Sequence, residues 1–428
     1  MTATATGTGA RRPLTWLAER WSLLGHVRGL PGVVRLLLVT QLVFNIGFYL
    51  VVPFLAVHLS ENLAMAGWAI GIVLGVRTFS QQGMFVVGGA LADRFGVRPT
   101  VLAGCALRVF GFVVLAGASA FSTVLLGTVL IGFAAALFSP AVESALASYG
   151  SELQERGTIT RTELFGLFAV FGEIGSVTGP LIGAALLSVD FALTCAVAAV
   201  VFTVILFAHA RWLPGSSGGA GRPLLQGWAR ILRNRTFLVF AAAYSAYLLS
   251  YNQLYLALPV ELGRVGAESA LGWMFALASL IVVLGQLPLA SWARARLGAA
   301  RALPIGFGLL SLSFASVAAW AWASTPESLA VAPAVGFVVL LTFGQMLAVP
   351  LAQDLVPRLA GEDNLGSYYG FLASAGGVAV LLGSGLAGGL LDLAAAPGPA
   401  APVPWLVLAA LPAAGGLTLL ALSRRLIR

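Results

Sequence analysis

Two ionisable side chains lie inside long apolar stretches of this chain and are the residues best placed to do chemistry. Arg77 and Glu173 each follow their segment's start by about ten residues, which at 1.5 Å per residue places both near the middle of a bilayer. A charge at that depth costs several kcal/mol, so such a group faces a cavity or a partner. Two interpretations of Glu173 stay open. It either takes up and releases a proton during a working cycle, or it forms a permanent salt bridge with Arg77.

A second chemical feature is the charged turn GGALADRFGVRPT at residues 88–100, which separates two almost uncharged segments. Such a dense set of charges is expected at a membrane surface. Two further charged residues lie nearer their segment ends. Arg108 is expected to reach towards the surface along its aliphatic stem, and Glu143 to pair with Arg94 or Arg98 of the turn.

Cysteine and histidine provide no catalytic or metal centre by their spacing. Cys105 and Cys195 lie inside apolar runs, and the three histidines are scattered at segment ends. No nucleophile, base or metal cluster stands out, so we expect no enzyme activity, no metal and no cofactor.

The elements that must position these groups are membrane helices. The 428-residue chain has 59% hydrophobic and 9% charged residues, against about 25% charged in a soluble domain. With about 20 residues per span, the composition predicts an all-α membrane protein with a dozen helices. The expected spans, numbered 1 to 12 throughout, cover residues 34–59, 67–92, 99–119, 122–148, 162–187, 190–211, 237–262, 270–292, 300–323, 328–354, 366–391 and 403–423.

The polar stretch 212–236, rich in Gly, Ser and Pro, predicts a cytoplasmic linker between two pseudo-symmetric six-helix bundles, 33–211 and 237–428. Residues 1–32 predict a cytoplasmic tail, as an interfacial helix or without structure. The turn after span 8, LASWARARLGAAR, keeps arginines but has no acid, so the repeat of the charged turn is degraded.

Nearly all of the 24 arginines fall in the tails and in alternate loops, which places both termini in the cytoplasm. The net charge of +8 therefore follows the topology, and no nucleic-acid partner is expected.

Tyrosines recur along one face of span 7, beside Asn252, and polar residues precede prolines in spans 1 and 10. An aromatic face with a few polar groups suits flat or cationic amphiphilic molecules. The alternative is an aromatic packing ridge. The cavity candidates are Asn45, Phe48, Tyr49, Tyr244, Tyr247, Tyr251, Asn252, Tyr255 and Gln345.

The charged turn resembles the loop signature G-x-L-A-D-R-x-G-x-R of the major facilitator superfamily, between spans 2 and 3 as in that family. Gly89, Asp93, Arg94, Gly96 and Arg98 match it. The resemblance implies a conformational latch formed by these residues and Glu143, with Asp93 against the start of span 11 near Leu365, where the helix dipole favours an anion.

Span 5 contains GEIGSVTGPLIGA, which is similar to the antiporter signature of the family. Its matching residues are Gly175, Gly179, Pro180 and Gly183. The resemblance favours export, while ordinary close packing through small residues is the alternative. The family's drug antiporters carry an arginine in span 4 where this chain has Thr128, so coupling schemes that use that arginine do not transfer.

The run GIVLGVRTFSQQGMFVVGGALADRFGVRP and the later GSYYGF resemble the MdtH-type multidrug exporters of that superfamily. The resemblance implies a monomeric multi-pass protein of the bacterial cytoplasmic membrane that exports drugs or small amphipathic metabolites in exchange for protons. An uptake symporter or facilitator is the alternative, and a non-transporting sensor or assembly protein is a further one.

Overall fold

The computed structural model describes residues 27–159, 161–215, 228–297, 299–321, 329–360 and 365–426. Throughout this part of the chain, all regular secondary structure is helical. A helix satisfies its backbone polar groups internally, which is required in a bilayer. The predicted all-α class is therefore confirmed. The predicted tail lies almost wholly outside the described residues.

The first six spans begin as the hydropathy pattern predicts. Span 1 starts with the helix Gly32–Val51 and runs to Asn62. The others are Gly67–Ala92, Val97–Ala116, Phe121–Glu155, Arg161–Leu187 and Phe191–Trp212.

The short helix Trp228–Arg233 then precedes spans 7 to 12. Their bounds are Arg235–Arg264, Leu271–Arg296, Ala299–Ala318, Ala332–Ala360, Leu365–Leu391 and Pro402–Leu426.

Eleven helical stretches of the described chain are long and apolar enough to cross a membrane. The twelfth spanning helix, span 7, has 30 residues but is less apolar because Ser245, Ser250, Asn252 and Gln253 lie in its middle. This exception indicates that span 7 has a polar environment within the bundle.

The two halves use the same helix contacts. Span 1 packs on spans 5 and 6 as span 7 packs on 11 and 12, and span 3 packs on 4 and 6 as span 9 packs on 10 and 12. The halves meet through span 2 against span 11 and span 5 against span 8. The pseudo-symmetric architecture with two interhalf seams is thus present.

Small residues make the seam between spans 2 and 11. Gly67, Gly71 and Gly75 lie four residues apart on span 2 and face the backbone of span 11 at Gly388, Ser384 and Val380 respectively. A Cβ atom at Gly71 would overlap the Ser384 carbonyl oxygen. Glycine is therefore required here for close backbone approach.

Span 2 also contains a π-helical segment at Phe79–Gly83, directly after Arg77 and Thr78. Such segments rotate the residues on either side relative to each other and frequently occur at functional sites. Here the segment lets Arg77, Gln81 and Gln82 line the same cavity.

We predict that Gly71→Ala destabilises the contact between the halves, although alanine is intrinsically the better helix former by about 1 kcal/mol. The added methyl group meets backbone, which cannot move aside cheaply. The melting temperature of the purified full-length protein in detergent should fall. The matched control is Gly308→Ala in span 9, where a Cβ atom meets nothing within 4 Å. An equal change in melting temperature for the two variants would contradict the proposed close packing of spans 2 and 11 at Gly71.

Candidate functional site

A cavity of about 190 Å³ lies between the halves. Spans 1 and 5 contribute to it from the first half, and spans 7, 8 and 10 from the second. Its ionisable groups are Glu173 and two tyrosines. The lining residues are Gln41, Asn45, Tyr49, Ala169, Gly172, Glu173, Ser176, Tyr251, Ala278, Ser279, Val282, Thr342 and Gln345.

A second cavity of about 210 Å³ adjoins the first and shares Asn45, Tyr49 and Tyr251 with it. Spans 1, 2 and 7 form it, and Arg77 lines it. Its remaining residues are Phe44, Phe48, Thr78, Gln81, Gln82, Leu248, Asn252 and Tyr255. The two cavities together thus have an acidic end at Glu173 and a basic end at Arg77.

Some tyrosines of span 7 line a cavity and others pack against aromatic neighbours, so each of the two interpretations holds for part of this face. Tyr251 and Tyr255 line the cavities, together with Tyr49 of span 1. Tyr244 packs on Phe240 and Phe307, with ring centroids 5.8 and 6.4 Å away. Tyr247, whose ring centroid is 5.4 Å from that of Tyr244, lines neither cavity.

The tyrosines connect the acidic and basic ends. Tyr49 lies close enough to interact electrostatically with Glu173, and Tyr255 with Arg77. The hydroxyl groups of Tyr49, Tyr251 and Tyr255 interact with one another between them. The arrangement is a row of phenols between a carboxylate and a guanidinium group.

Glu173 is partly buried and accepts a hydrogen bond from the Ser176 hydroxyl at 3.0 Å. The Arg77 guanidinium donates to the Thr78 hydroxyl at 2.8 Å and to the Gln81 side chain at 3.4 Å. Glu173 lines the first cavity and Arg77 the second. The geometry thus places the two charges at opposite ends of the site.

A buried chain of hydrogen bonds joins Arg77 to the second half. The Thr78 hydroxyl donates to the Asn252 side-chain oxygen at 2.9 Å, and the Asn252 amide donates to the Ser384 hydroxyl at 3.1 Å. Span 2 is thereby linked to spans 7 and 11. We did not predict Thr78 and Ser384 from the sequence, because single hydroxyl residues in apolar helices carry no distinguishing pattern.

Arg108 does not reach the surface, so that expectation is wrong. The residue is 1% exposed, and its guanidinium carbon lies 4.2, 4.8 and 5.5 Å from the ring centroids of Phe44, Phe202 and Phe48. Each cation–π contact contributes about 0.5 to 2 kcal/mol. The rings can therefore offset much of the roughly 3 kcal/mol insertion cost of the charge. The aromatic rings accept no conventional hydrogen bonds from the N–H groups of Arg108.

The charged turn has a defined backbone role. Gly96 has φ of +91°, a conformation that favours glycine. The Arg98 guanidinium donates at 2.5 Å to the carbonyl of Ala210, in the last turn of span 6, where a cation also complements the helix dipole. Gly88 is the glycine that packs closely on span 4, because a Cβ atom there would overlap the Ala136 carbonyl. A Cβ atom at Gly89 would make only ordinary van der Waals contact.

The predicted pairing of Glu143 with Arg94 or Arg98 is absent from the described ion pairs. Glu143 is exposed, Arg94 lies over the Phe95 ring, and Arg98 is held by span 6. The Asp93 side chain lies outside the described residues, so its contact with the start of span 11 stays a prediction.

The glycines of the span 5 motif pack against span 1. A Cβ atom at Gly175, Gly179 or Gly183 would overlap Leu42, Tyr49 or Leu50 respectively. Pro180 lies on the other side, with its carbonyl oxygen 2.9 Å from the Cβ position of Gly272 in span 8. The motif thus holds span 5 against both span 1 and the second half.

Comparison with known proteins decides the family. The family model described as Major Facilitator Superfamily matches residues 37–384. The chain belongs to the major facilitator superfamily. A protein described as an uncharacterized MFS-type transporter of Mycobacterium tuberculosis is 39% identical over 86% of this chain and 88% of its own length.

Proteins named multidrug resistance protein MdtH are also similar. The one from Cronobacter sakazakii is 33% identical, and one from Escherichia coli is 31% identical, each over 78% of this chain and 80% of the relative. The chain is therefore a multi-pass membrane transporter with a small-molecule substrate, as the family implies, and is not an enzyme.

Solved structures confirm the fold. A POT family transporter in complex with a thioalcohol-conjugated peptide superposes with a TM-score of 0.77, 14% identity and coverage of 94% of this chain and 98% of that one. The nucleoside transporter NupG (D323A mutant) superposes with a TM-score of 0.72, 15% identity and coverage of 91% and 99%.

We predict that Thr78 and Asn252 are energetically coupled across the interface. In a double-mutant cycle with Thr78→Val and Asn252→Leu, the coupling in the free energy of unfolding should be about 0.6 kcal/mol and at most about 1.7 kcal/mol, the mean and the maximum found in such cycles for hydrogen bonds between membrane helices. Denaturation of the detergent-solubilised protein measures it. Ser245→Ala is the control for Asn252→Leu, because among the described residues the Ser245 hydroxyl donates only to the Ala241 carbonyl of its own helix. Strictly additive effects for Thr78 and Asn252 would contradict the link.

Proposed function

We propose that this transporter exports drugs or small amphipathic molecules across the cytoplasmic membrane of a bacterium in exchange for protons. The observation that carries the proposal is the pair of cavities between the two halves, with Glu173 at one end. The similarity to proteins named MdtH supports a multidrug substrate range. Both termini lie in the cytoplasm in this proposal, and the protein works as a monomer.

Glu173 is the proposed proton carrier. Its carboxyl group faces a small cavity between halves and lies beside the Ser176 hydroxyl and the phenol of Tyr49. When the halves rock apart, water enters and stabilises the ionised form; when they close, low polarity favours the protonated form. Rocking thus couples proton release to the change in access.

Loss of the proton also changes the site for a substrate. A protonated carboxyl lets apolar or cationic groups approach without a buried negative charge, whereas the ionised form attracts cations. For a cationic substrate, binding and proton uptake therefore depend on the same carboxyl group. This dependence is what obligatory exchange requires.

The charged turn is proposed as the latch of the cytoplasmic side. Arg98 fixes the turn to span 6, and Gly96 sets the direction in which span 3 departs. Asp93 would then contact the start of span 11 and stabilise one access state by about 0.3 to 2 kcal/mol. A bias of that size changes state populations several-fold.

We predict that Glu173→Gln abolishes proton-coupled transport while the fold persists. The test uses inverted membrane vesicles with an acidified lumen and a fluorescent reporter of the pH difference. Adding ethidium or 2-naphthoate should raise the lumenal pH through the wild-type protein, since substrate enters as protons leave. The Glu173→Gln vesicles should show no response. The control is Glu152→Gln, an exposed residue paired with Arg156, which should respond like wild type.

An uptake symporter gives a different result in these vesicles. The added compound would not release lumenal protons, because a symporter moves both solutes in the same direction. Equal responses from wild type and Glu173→Gln would contradict the proposed carrier, and no response from wild type to either compound would count against export.

A further inference from the structure

Arg108 and Arg77 form a pair of buried cations next to the second cavity. They are 1% and 4% exposed, and Arg77 lies close enough to Arg108 to act on its charge. Phe48 stands between them, with its ring centroid 5.5 Å from the guanidinium carbon of Arg108 and 5.4 Å from that of Arg77. Two like charges in one low-dielectric region repel, so the arrangement calls for a compensating charge.

No carboxylate of the described residues provides that compensation. The ionisable neighbours of Arg108 are Arg77 and the Cys105 thiol, and those of Arg77 are Tyr49, Tyr251 and Tyr255. The Nε, Nη1 and Nη2 atoms of Arg108 and the Nε atom of Arg77 make no hydrogen bond within the described structure. Four buried donor atoms of these two arginines thus lack a hydrogen-bond partner among the described residues.

Packing alone does not account for such a pair. An unpaired buried charge is strongly unfavourable, and apolar side chains of similar volume are often as stable or more stable at such sites. Buried donors without partners are rare in native proteins and call for a specific reason, such as a ligand. Arg77 already lines the cavity, and the rings of Phe44 and Phe48, which line it too, lie against the Arg108 guanidinium group.

We propose that Arg77 and Arg108 bind the anionic group of the transported molecule, so that the substrates include aromatic carboxylates. The carboxylate sits between the two guanidinium groups after the Phe48 ring turns aside, and the aromatic body stacks on Tyr251 and Tyr255 in the cavity. Guanidinium groups suit this role because their planar donors match a carboxylate bidentately. The inference rests on the proposed function, since it takes the cavity to hold a transported molecule.

Export of an anion also fits the energetics of the membrane. When one proton enters and one singly charged anion leaves, the exchange as a whole moves two positive charges into the cell. The negative interior of a bacterial cell therefore assists the exchange. The basic end of the cavity thus extends the range of cargo beyond the cationic amphiphiles that the aromatic face alone suggests.

The test compares three probes of nearly equal shape, 2-naphthoate, 2-naphthamide and 2-naphthylmethylammonium. Binding to the purified full-length protein in detergent is measured by calorimetry and by the rise in melting temperature. The anion should bind at least about tenfold more tightly than the amide, as expected for hydrogen bonds between charged groups. Arg77→Met and Arg108→Met should each remove this preference, whereas Arg156→Met, on the exposed end of span 4, should retain it.

The Arg108→Met variant gives a second readout that does not depend on ligand affinity. Without ligand it should melt at a higher temperature than wild type, because a buried charge is removed that has no anionic or hydrogen-bonding partner among the described residues and whose cost the aromatic rings offset only in part. A purely structural arginine predicts the opposite, a lower melting temperature. Arg108→Lys keeps a charge and should retain part of the preference for the anion.

Three results would overturn the anion site: no preference of wild type for the naphthoate over the amide, including no binding of either; preference for the ammonium; or an unchanged preference in both methionine variants. These binding results are separate from transport. If naphthoate binds with the expected preference but neither it nor ethidium releases protons in inverted vesicles, the anion site stands and the result counts against proton-coupled export.

Discussion

The cost of charge in a low-dielectric medium governs how this protein is built. Most ionisable residues of the chain lie in the loops or near the ends of the spans, and three charged residues lie deeper, in or beside the two cavities. Glu173, Arg77 and Arg108 lie around one pair of cavities, with tyrosine hydroxyls between the acidic and basic ends. Because such groups cost several kcal/mol each, their gathering in one place indicates a working site.

The interface around these groups is made of two kinds of contact. Glycines let spans 2 and 11 approach to backbone contact at Gly71, and Gly272 lets span 8 approach the Pro180 carbonyl of span 5 closely. The hydrogen-bond chain from Thr78 through Asn252 to Ser384 crosses the same interface near its middle. Small residues let the helices of the two halves pack closely, while a few hydrogen bonds of modest strength stabilise one access state.

The sequence predicts the helices well because the hydrophobic length of each span is dictated by the bilayer. It also identifies Glu173, Tyr49 and Tyr251 as candidates, while leaving open a salt bridge for Glu173 and a packing ridge for the tyrosines of span 7, and the structure places all three in the lining of one cavity. The environment of Arg108 could not be predicted, because Phe44, Phe48 and Phe202 come from distant positions in the chain. The role of Arg98 was missed for a similar reason: its partner is a backbone carbonyl of span 6, which has no sequence signature.

The central claim is that one site between the halves opens in turn to each side of the membrane. Thiol accessibility tests it without any substrate. A single cysteine at Ser279, which lines the first cavity, is introduced into a variant with Cys105 and Cys195 replaced by alanine, and a membrane-impermeant maleimide is applied to cells and to inverted vesicles. Alternating access predicts labelling from both sides, with no labelling of a cysteine at Gly308 on the exposed face of span 9. Labelling of Ser279→Cys from one side only, or from neither, would contradict the account.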